Sequence, residues 1–289
     1  MNFNLQNIIM TTARHLFSIA MLFSLLLIPA YSFAGIDTLS SAINKAGRQR
    51  MLTQRIVATY SQIGLEITTQ KSQRQLRDAV NLFEEQLSEL KEYRKSGKIN
   101  EQLQRVTELW QPLQKIAREP VQKSQVEELR MIAEDALAAS HRVVIMLQDE
   151  SGTKKGQLVN ISGRQRMLSQ RLSNLYMLQS WGFSSSAYTD DYSRAMNEFK
   201  GALTELSSSS LSTEEINGKL NKAKREFGMF ERSSHHKNGE FIPLMIKMSA
   251  DKLLTLMNDV THLYEKLDSK DAVVSLNPKK IKVNYDAQS

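Results

Sequence analysis

Ile43-Asn44-Lys45-Ala46-Gly47-Arg48-Gln49-Arg50-Met51-Leu52-Thr53-Gln54-Arg55-Ile56 occurs twice in this chain. It returns 116 positions later as Val159-Asn160-Ile161-Ser162-Gly163-Arg164-Gln165-Arg166-Met167-Leu168-Ser169-Gln170-Arg171-Leu172. An offset of that size is the length of a small domain. The same offset pairs Ala79, Asn81, Phe83, Leu87 and Leu90 with Ala195, Asn197, Phe199, Leu203 and Leu206, and further on it pairs Asp135 and Leu137 with Asp251 and Leu253. A register held without gaps over that distance reads as duplication of a whole module.

Working outward, each copy divides into four helical stretches. The first copy is expected to have helices over about 39–69, 72–95, 100–118 and 120–149, with Pro112 kinking the third and Pro120 opening the fourth. Gly152 and Gly156 are expected to separate the copies. Ser212-Thr213-Glu214-Glu215 reads as a capping box opening the third helix of the second copy. Only 12 Gly and 5 Pro occur in 289 residues, and no long apolar–polar alternation suggests a strand. The fold class is therefore all-α, with two tandem four-helix up-down bundles as its simplest architecture. The expected divisions are an export signal over 1–34, a first module over 35–151, a second over 152–269, and a loosely ordered tail over 270–289. Cysteine is absent, so disulfides and thiol chemistry are excluded.

Leu16 to Pro29 form an apolar run after Arg14, and Ser32-Phe33-Ala34 follows. The run is shorter than the roughly 20 residues of a membrane span. It reads as a secretory signal peptide cleaved after Ala34, with an uncleaved N-terminal anchor as the alternative. The rest of the chain is thus expected outside the cytoplasm, in the periplasm. That argues against nucleic acid as partner despite a net charge of +7.

At 100° per residue the repeated segment places Ile43, Gly47, Arg50, Gln54 and Val57 on one stripe, with the three–four spacing of a helix–helix seam. The second copy's stripe is Val159, Gly163, Arg166, Gln170 and Ser173. Asn44, Arg48, Met51 and Arg55 fall on a separate stripe. Leu52, Ile56 and Ile63 are expected to face the bundle core. An arginine on a packing seam is unusual, because an unpaired buried charge is costly. Pairing with acids on neighbouring helices is the ordinary explanation for any one arginine. Neither copy of the segment contains an acid, however. A guanidinium offers a planar fork of donors suited to an oxyanion, and Asn and Gln amides add neutral donors. The candidate ligand-binding residues are therefore Arg50, Arg166, Arg48, Arg55, Arg164, Arg171, Gln54, Gln170, Asn44 and Asn160. Gly47 and Gly163 are expected to thin the helices for close packing.

The segment from Ala46 to Ile56 resembles the P-box of nitrate/nitrite sensor kinases. It is closer still to the sensor domain at the N-terminus of type IV pilus methyl-accepting chemotaxis transducers, the PilJ type. The resemblance implies a periplasmic four-helix bundle that dimerises and holds nitrate at the seam between first helices. It also implies that the anion-contacting arginine is the one before the methionine, Arg50 and Arg166, and that Arg55 and Arg171 match the motif's distal arginine. Arg48 and Arg164 depart from the nitrate sensors, which carry a small polar residue there.

Other candidates are weaker. His235-His236 point apart on a helix and make a poor metal site. His141 and His262 are expected to be packed or solvent-facing, and the methionines to be core fillers. No nucleophile, base or phosphate-loop pattern suggests an enzyme, and no cofactor is expected. The reading is a sensory module for a small anion, nitrate or nitrite, acting as a homodimer or with a membrane signalling partner. The alternatives are a structural or interaction module accessory to a membrane receptor, and a membrane-surface binder.

Overall fold

Thr38 sets the start of the first helix by accepting the Ser41 N–H on its side-chain oxygen at 3.1 Å. The computed structural model describes residues 35–234 and 241–267. Within them run eight α-helices: α1 (Leu39–Gly64), α2 (Thr69–Tyr93), α3 (Gly97–Arg118), α4 (Val126–Ser151), α5 (Lys154–Ser180), α6 (Ser186–Ser208), α7 (Glu214–Ser234) and α8 (Pro243–Lys266). The expected all-α class holds, and no strand occurs among the described residues. The export signal, His235-His236 and the tail from residue 268 lie outside the described residues.

In the first copy α1 packs on α2 and α4, and α3 closes the ring against both. The second copy repeats this with α5, α6, α7 and α8. The most extensive contact among the described helices is α1 on α5, and all of them fall in one compact unit. The contacts advance together along both helices, from Ile43 beside Gly156 to Gly64 beside Trp181, so α1 and α5 run parallel. The bundles therefore lie side by side. Each central helix serves two bundles and is buried nearly all round, as a helix inside a larger core must be.

Aromatic stacking marks the same place in each bundle. Phe83 stacks on Trp110 at 4.0 Å, and Phe199 stacks on Phe227 at 4.5 Å. These pairs also expose a change of register. Phe83 and Phe199 are 116 apart, but Trp110 and Phe227 are 117 apart. Burial along α3 and α7, and along α4 and α8, follows 117 throughout: Leu103, Val106 and Leu113 match Leu220, Ala223 and Phe230, and Ala133, Ala136 and Val143 match Ala250, Leu253 and Val260. The gapless register expected from the sequence is thus wrong. One residue is inserted between α6 and α7, and Asp251 matches Glu134 rather than Asp135.

Several boundaries also differ. The first helix ends at Gly64, five residues early, in a turn where Glu66 and Thr68 both take positive φ. Gly182, the counterpart of Glu66, carries φ 89° without a Cβ to strain, whereas Glu66 sits at φ 57°. Glu66→Gly is expected to stabilise the fold by about 1 kcal/mol, read from a denaturant midpoint. The fourth helix opens at Val126, after a 3-10 turn over Lys123–Gln125, rather than at Pro120. Gly156 lies inside α5, so of the two glycines Gly152 lies between the copies, followed by the N-cap Thr153. Thr213, not Ser212, caps α7 by accepting the Ile216 N–H.

Tyr60 and Tyr176, at equivalent positions, fasten the entry to each fourth helix. Tyr60 Oη accepts the Gln122 N–H at 2.8 Å, and Tyr176 Oη accepts the Ile242 N–H at 2.8 Å.

Candidate functional site

The expected seam forms. Ile43, Gly47, Arg50, Gln54 and Val57 of α1 are all buried, and so are Val159, Gly163, Arg166, Gln170 and Ser173 of α5. The two faces meet each other within one chain. Arg50 and Arg166 are 1% and 0% exposed and are the two largest fully buried side chains among the described residues.

Their contacts are reciprocal, as across a two-fold interface. Arg50 Nη2 donates to Asn160 Oδ1 at 2.8 Å and to the Asn160 carbonyl at 3.4 Å. Arg166 Nη2 donates to the Asn44 carbonyl at 3.2 Å. Each Nη1 reaches the other bundle helix of its own copy: Arg50 meets His141 Nδ1 at 2.9 Å on α4, and Arg166 meets Asn258 Oδ1 at 3.3 Å on α8. His141 and Asn258 are counterparts in the 117 register. Gly47 and Gly163 make room for the guanidinium ends. A Cβ at Gly47 would lie 3.3 Å from Arg50 Nη2 and 3.6 Å from Arg166 Nη2, and one at Gly163 would lie 3.1 Å and 3.8 Å from Arg166 Nη2 and Arg50 Nη2. Both guanidiniums thus converge on one small volume.

Positive charge crowds Arg166. Burial, followed by the positive charges of Arg48 and Arg50, pulls Arg166 well below the ordinary arginine value, while Glu265 acts the other way. Among the described residues Arg166 has only neutral hydrogen-bond partners, and its Nε donates to none. Burial and the charges of Arg50, Arg164 and Arg142 push His141 down to about 3, so at neutral pH the ring is uncharged and its Nδ1 accepts from Arg50. A histidine whose folded pKa lies below its unfolded value is neutral in both states at pH 7. It withdraws stability only as the pH falls below about 6.5. Replacing His141 by asparagine, as at position 258, is expected to reduce the stability lost between pH 7 and pH 4 by more than about 1 kcal/mol, measured by denaturation at each pH.

The other proposed residues divide by position. Asn44 and Asn160 sit at the seam beside the pair. Asn160 Nδ2 donates to Gln148 and Asn44 Nδ2 to Glu265, both at 2.7 Å. Gln54 and Gln170 lie one turn further on. Gln54 donates to Glu134 at 3.0 Å and accepts from Asn174 at 3.1 Å; Gln170 accepts from Arg55 at 3.3 Å. The remaining arginines are on the flanks and face carboxylates. Arg55 reaches Asp251 across the seam at 3.5 Å, and its counterpart Arg171 reaches Glu134 across the seam at 3.1 Å. Arg164 pairs with Glu198 at 2.7 Å within its own copy. Arg48 is half-buried, lowered by burial and partly restored by Glu265 and Glu89.

Three features of the site were missed in the sequence. His141 is not merely packed: it supports Arg50. Gln49 and Gln165, the middle residues of the two motifs, point into the bundles and are 1% and 0% exposed. Asn174, which bonds Gln54, has Ala58 as its counterpart, so comparison of the copies could not find it.

With this geometry in view, residues 31–134 match the family model described as type IV pili methyl-accepting chemotaxis transducer N-term, PilJ. That segment is similar to the N-terminal domain of such transducers. It takes in α1 to α3 and the start of α4. No curated protein and no solved structure matches the chain. Among the described residues no helix is long and apolar enough to cross a membrane, and no group of three or more His, Cys, Asp or Glu could hold a metal ion.

Proposed function

We propose that this is a periplasmic sensory module that binds a small planar oxyanion, nitrate or nitrite in the first instance, between Arg50 and Arg166. The bound state would be reported to a membrane signalling partner. The observation that carries this reading is the convergence of two fully buried guanidiniums from equivalent helices on one small volume. An anion there would relieve the repulsion between them and take up donors in a dry setting, where charge-assisted hydrogen bonds are strong. Asn44 and Asn160 would complete the donor set, while Arg55 and Arg171 hold the two copies together across the seam. Because one chain supplies both halves, the site needs no homodimer.

The test is a thermal-shift panel of nitrate, nitrite, chloride and sulfate on the mature protein. Nitrate or nitrite is expected to raise the melting temperature, and Arg166→Lys, which keeps charge but loses the planar fork, to remove most of the rise. Equal response of the wild type to all four anions would sink the proposal. A second reading, an interaction module in which the arginines serve helix contact alone, is favoured by their bonds to Asn160 and Asn44 carbonyls. It is expected to show no anion response and to retain a membrane partner in pull-downs of the Arg50→Ala/Arg166→Ala protein.

A further inference from the structure

Two grooves flank the seam, built from counterpart residues. One lies between α1, α2 and α8 and encloses about 740 Å³; the other lies between α3, α4, α5 and α6 and encloses about 710 Å³. Descent from one module predicts similar chemistry, yet their charges differ. The second groove is lined by six arginines and four carboxylates, the first by three Arg or Lys residues and three carboxylates. Two reversals add positive charge to the second groove, Arg142 where the first has Asp259 and Arg194 where it has Asp78. Against them stand Asp191 in place of Gln75 and Glu198 in place of Leu82, which pair with Arg194 and Arg164 and leave Arg142 as the reversal that is not offset. Only the second groove reaches a seam arginine, since Arg50 lines it while Arg166 does not line the first.

The second groove also has an apolar wall of Leu109, Leu137, Met167 and Leu168. Its volume is in the range of pockets that hold whole organic ligands, about 300–1,000 Å³. It far exceeds what a three-atom or four-atom oxyanion needs.

We infer that the groove between α3, α4, α5 and α6 binds an organic acid, with its carboxylate toward Arg50 and Arg142 and its apolar body along Leu109, Leu137 and Leu168. This rests on the proposed anion site in taking Arg50 as the end that meets the carboxylate. The counterpart groove takes no such ligand, because it has Asp259 in place of Arg142 and no seam arginine lines it.

Titration calorimetry with benzoate, 3-phenylpropionate, hexanoate, nitrate and the neutral benzyl alcohol tests the inference. At least one of the carboxylates is expected to bind ten-fold or more tighter than nitrate, and benzyl alcohol not measurably. Arg142→Asp/Arg194→Asp, which installs the other groove's residues at exposed or rim positions, is expected to weaken carboxylate binding ten-fold or more. Arg142→Gln, a milder change, is expected to weaken it about three-fold. Nitrate binding without carboxylate binding overturns this inference and leaves the seam site standing. Carboxylate binding that Arg142→Asp/Arg194→Asp leaves unchanged also overturns it. Carboxylate binding that depends on Arg142, in a protein that does not bind nitrate, supports the groove and removes the small-oxyanion reading. Silence from every acid overturns both.

Discussion

Replacing Arg50 and Arg166 together by methionine is expected to raise the melting temperature of the protein in anion-free buffer and to abolish its response to nitrate. Two guanidiniums of 1% and 0% exposure converge at the α1–α5 seam. Taking a charge out of water costs several kcal/mol, and replacing buried charged groups by apolar residues of similar volume is often stabilising by about 1–4 kcal/mol. Methionine is long and flexible enough to fill the vacated space. Some gain is lost, because Asn160 Oδ1 and His141 Nδ1 lose their arginine donors. Asn160 keeps its bond to Gln148. A net gain of about 1–3 kcal/mol corresponds to a rise on the order of 3–10 °C for a protein of this size. Thermal denaturation followed by circular dichroism measures it. A lower melting temperature in the methionine protein would mean that the arginines support the fold, and that no stability is held in reserve for a ligand.

Phe83→Ala is expected to destabilise the whole compact unit by about 3–5 kcal/mol in a single transition. The Phe83 ring is 0% exposed and stacks 4.0 Å from Trp110, within the first copy's own bundle. Tandem domains joined only by a linker would unfold separately, leaving the second copy at its original stability. Here α1 is a wall of both bundles, so loss of the first removes the surface that buries α5. Hydrogen exchange read by mass spectrometry should show amides of α5 and α8 losing protection together with those of α2 and α3. A two-step melt with the second copy unaffected would contradict the side-by-side packing.

Much of this was legible in the repeated segment. The spacing of Ile43, Gly47, Arg50, Gln54 and Val57 identified the seam, and every one of these residues is buried. Periodicity specifies which face of a helix is buried, but not what covers it. A seam between two chains and a seam between two copies have the same pattern, so their meeting within one chain could not be read. The role of His141 was hidden by the one-residue insertion before α7, which disguises its equivalence to Asn258. Glu66 gave no signal either, because a glutamate carries no mark of a positive φ imposed by its neighbours. The acids that meet Arg55, Arg171 and Arg164 come from other helices, Asp251 on α8, Glu134 on α4 and Glu198 on α6. Their absence from the motif was therefore a poor guide for the flanks. It was a better guide for Arg166, whose partners among the described residues are neutral.

The central claim is that one chain builds one complete anion site from its two copies. Titration calorimetry of nitrate into the protein, with the mass of the same sample determined by sedimentation, tests it most directly. The expected result is one nitrate per monomeric chain, lost in both Arg50→Met and Arg166→Met. Binding at one nitrate per two chains, binding that survives either substitution, or no heat at all would contradict it.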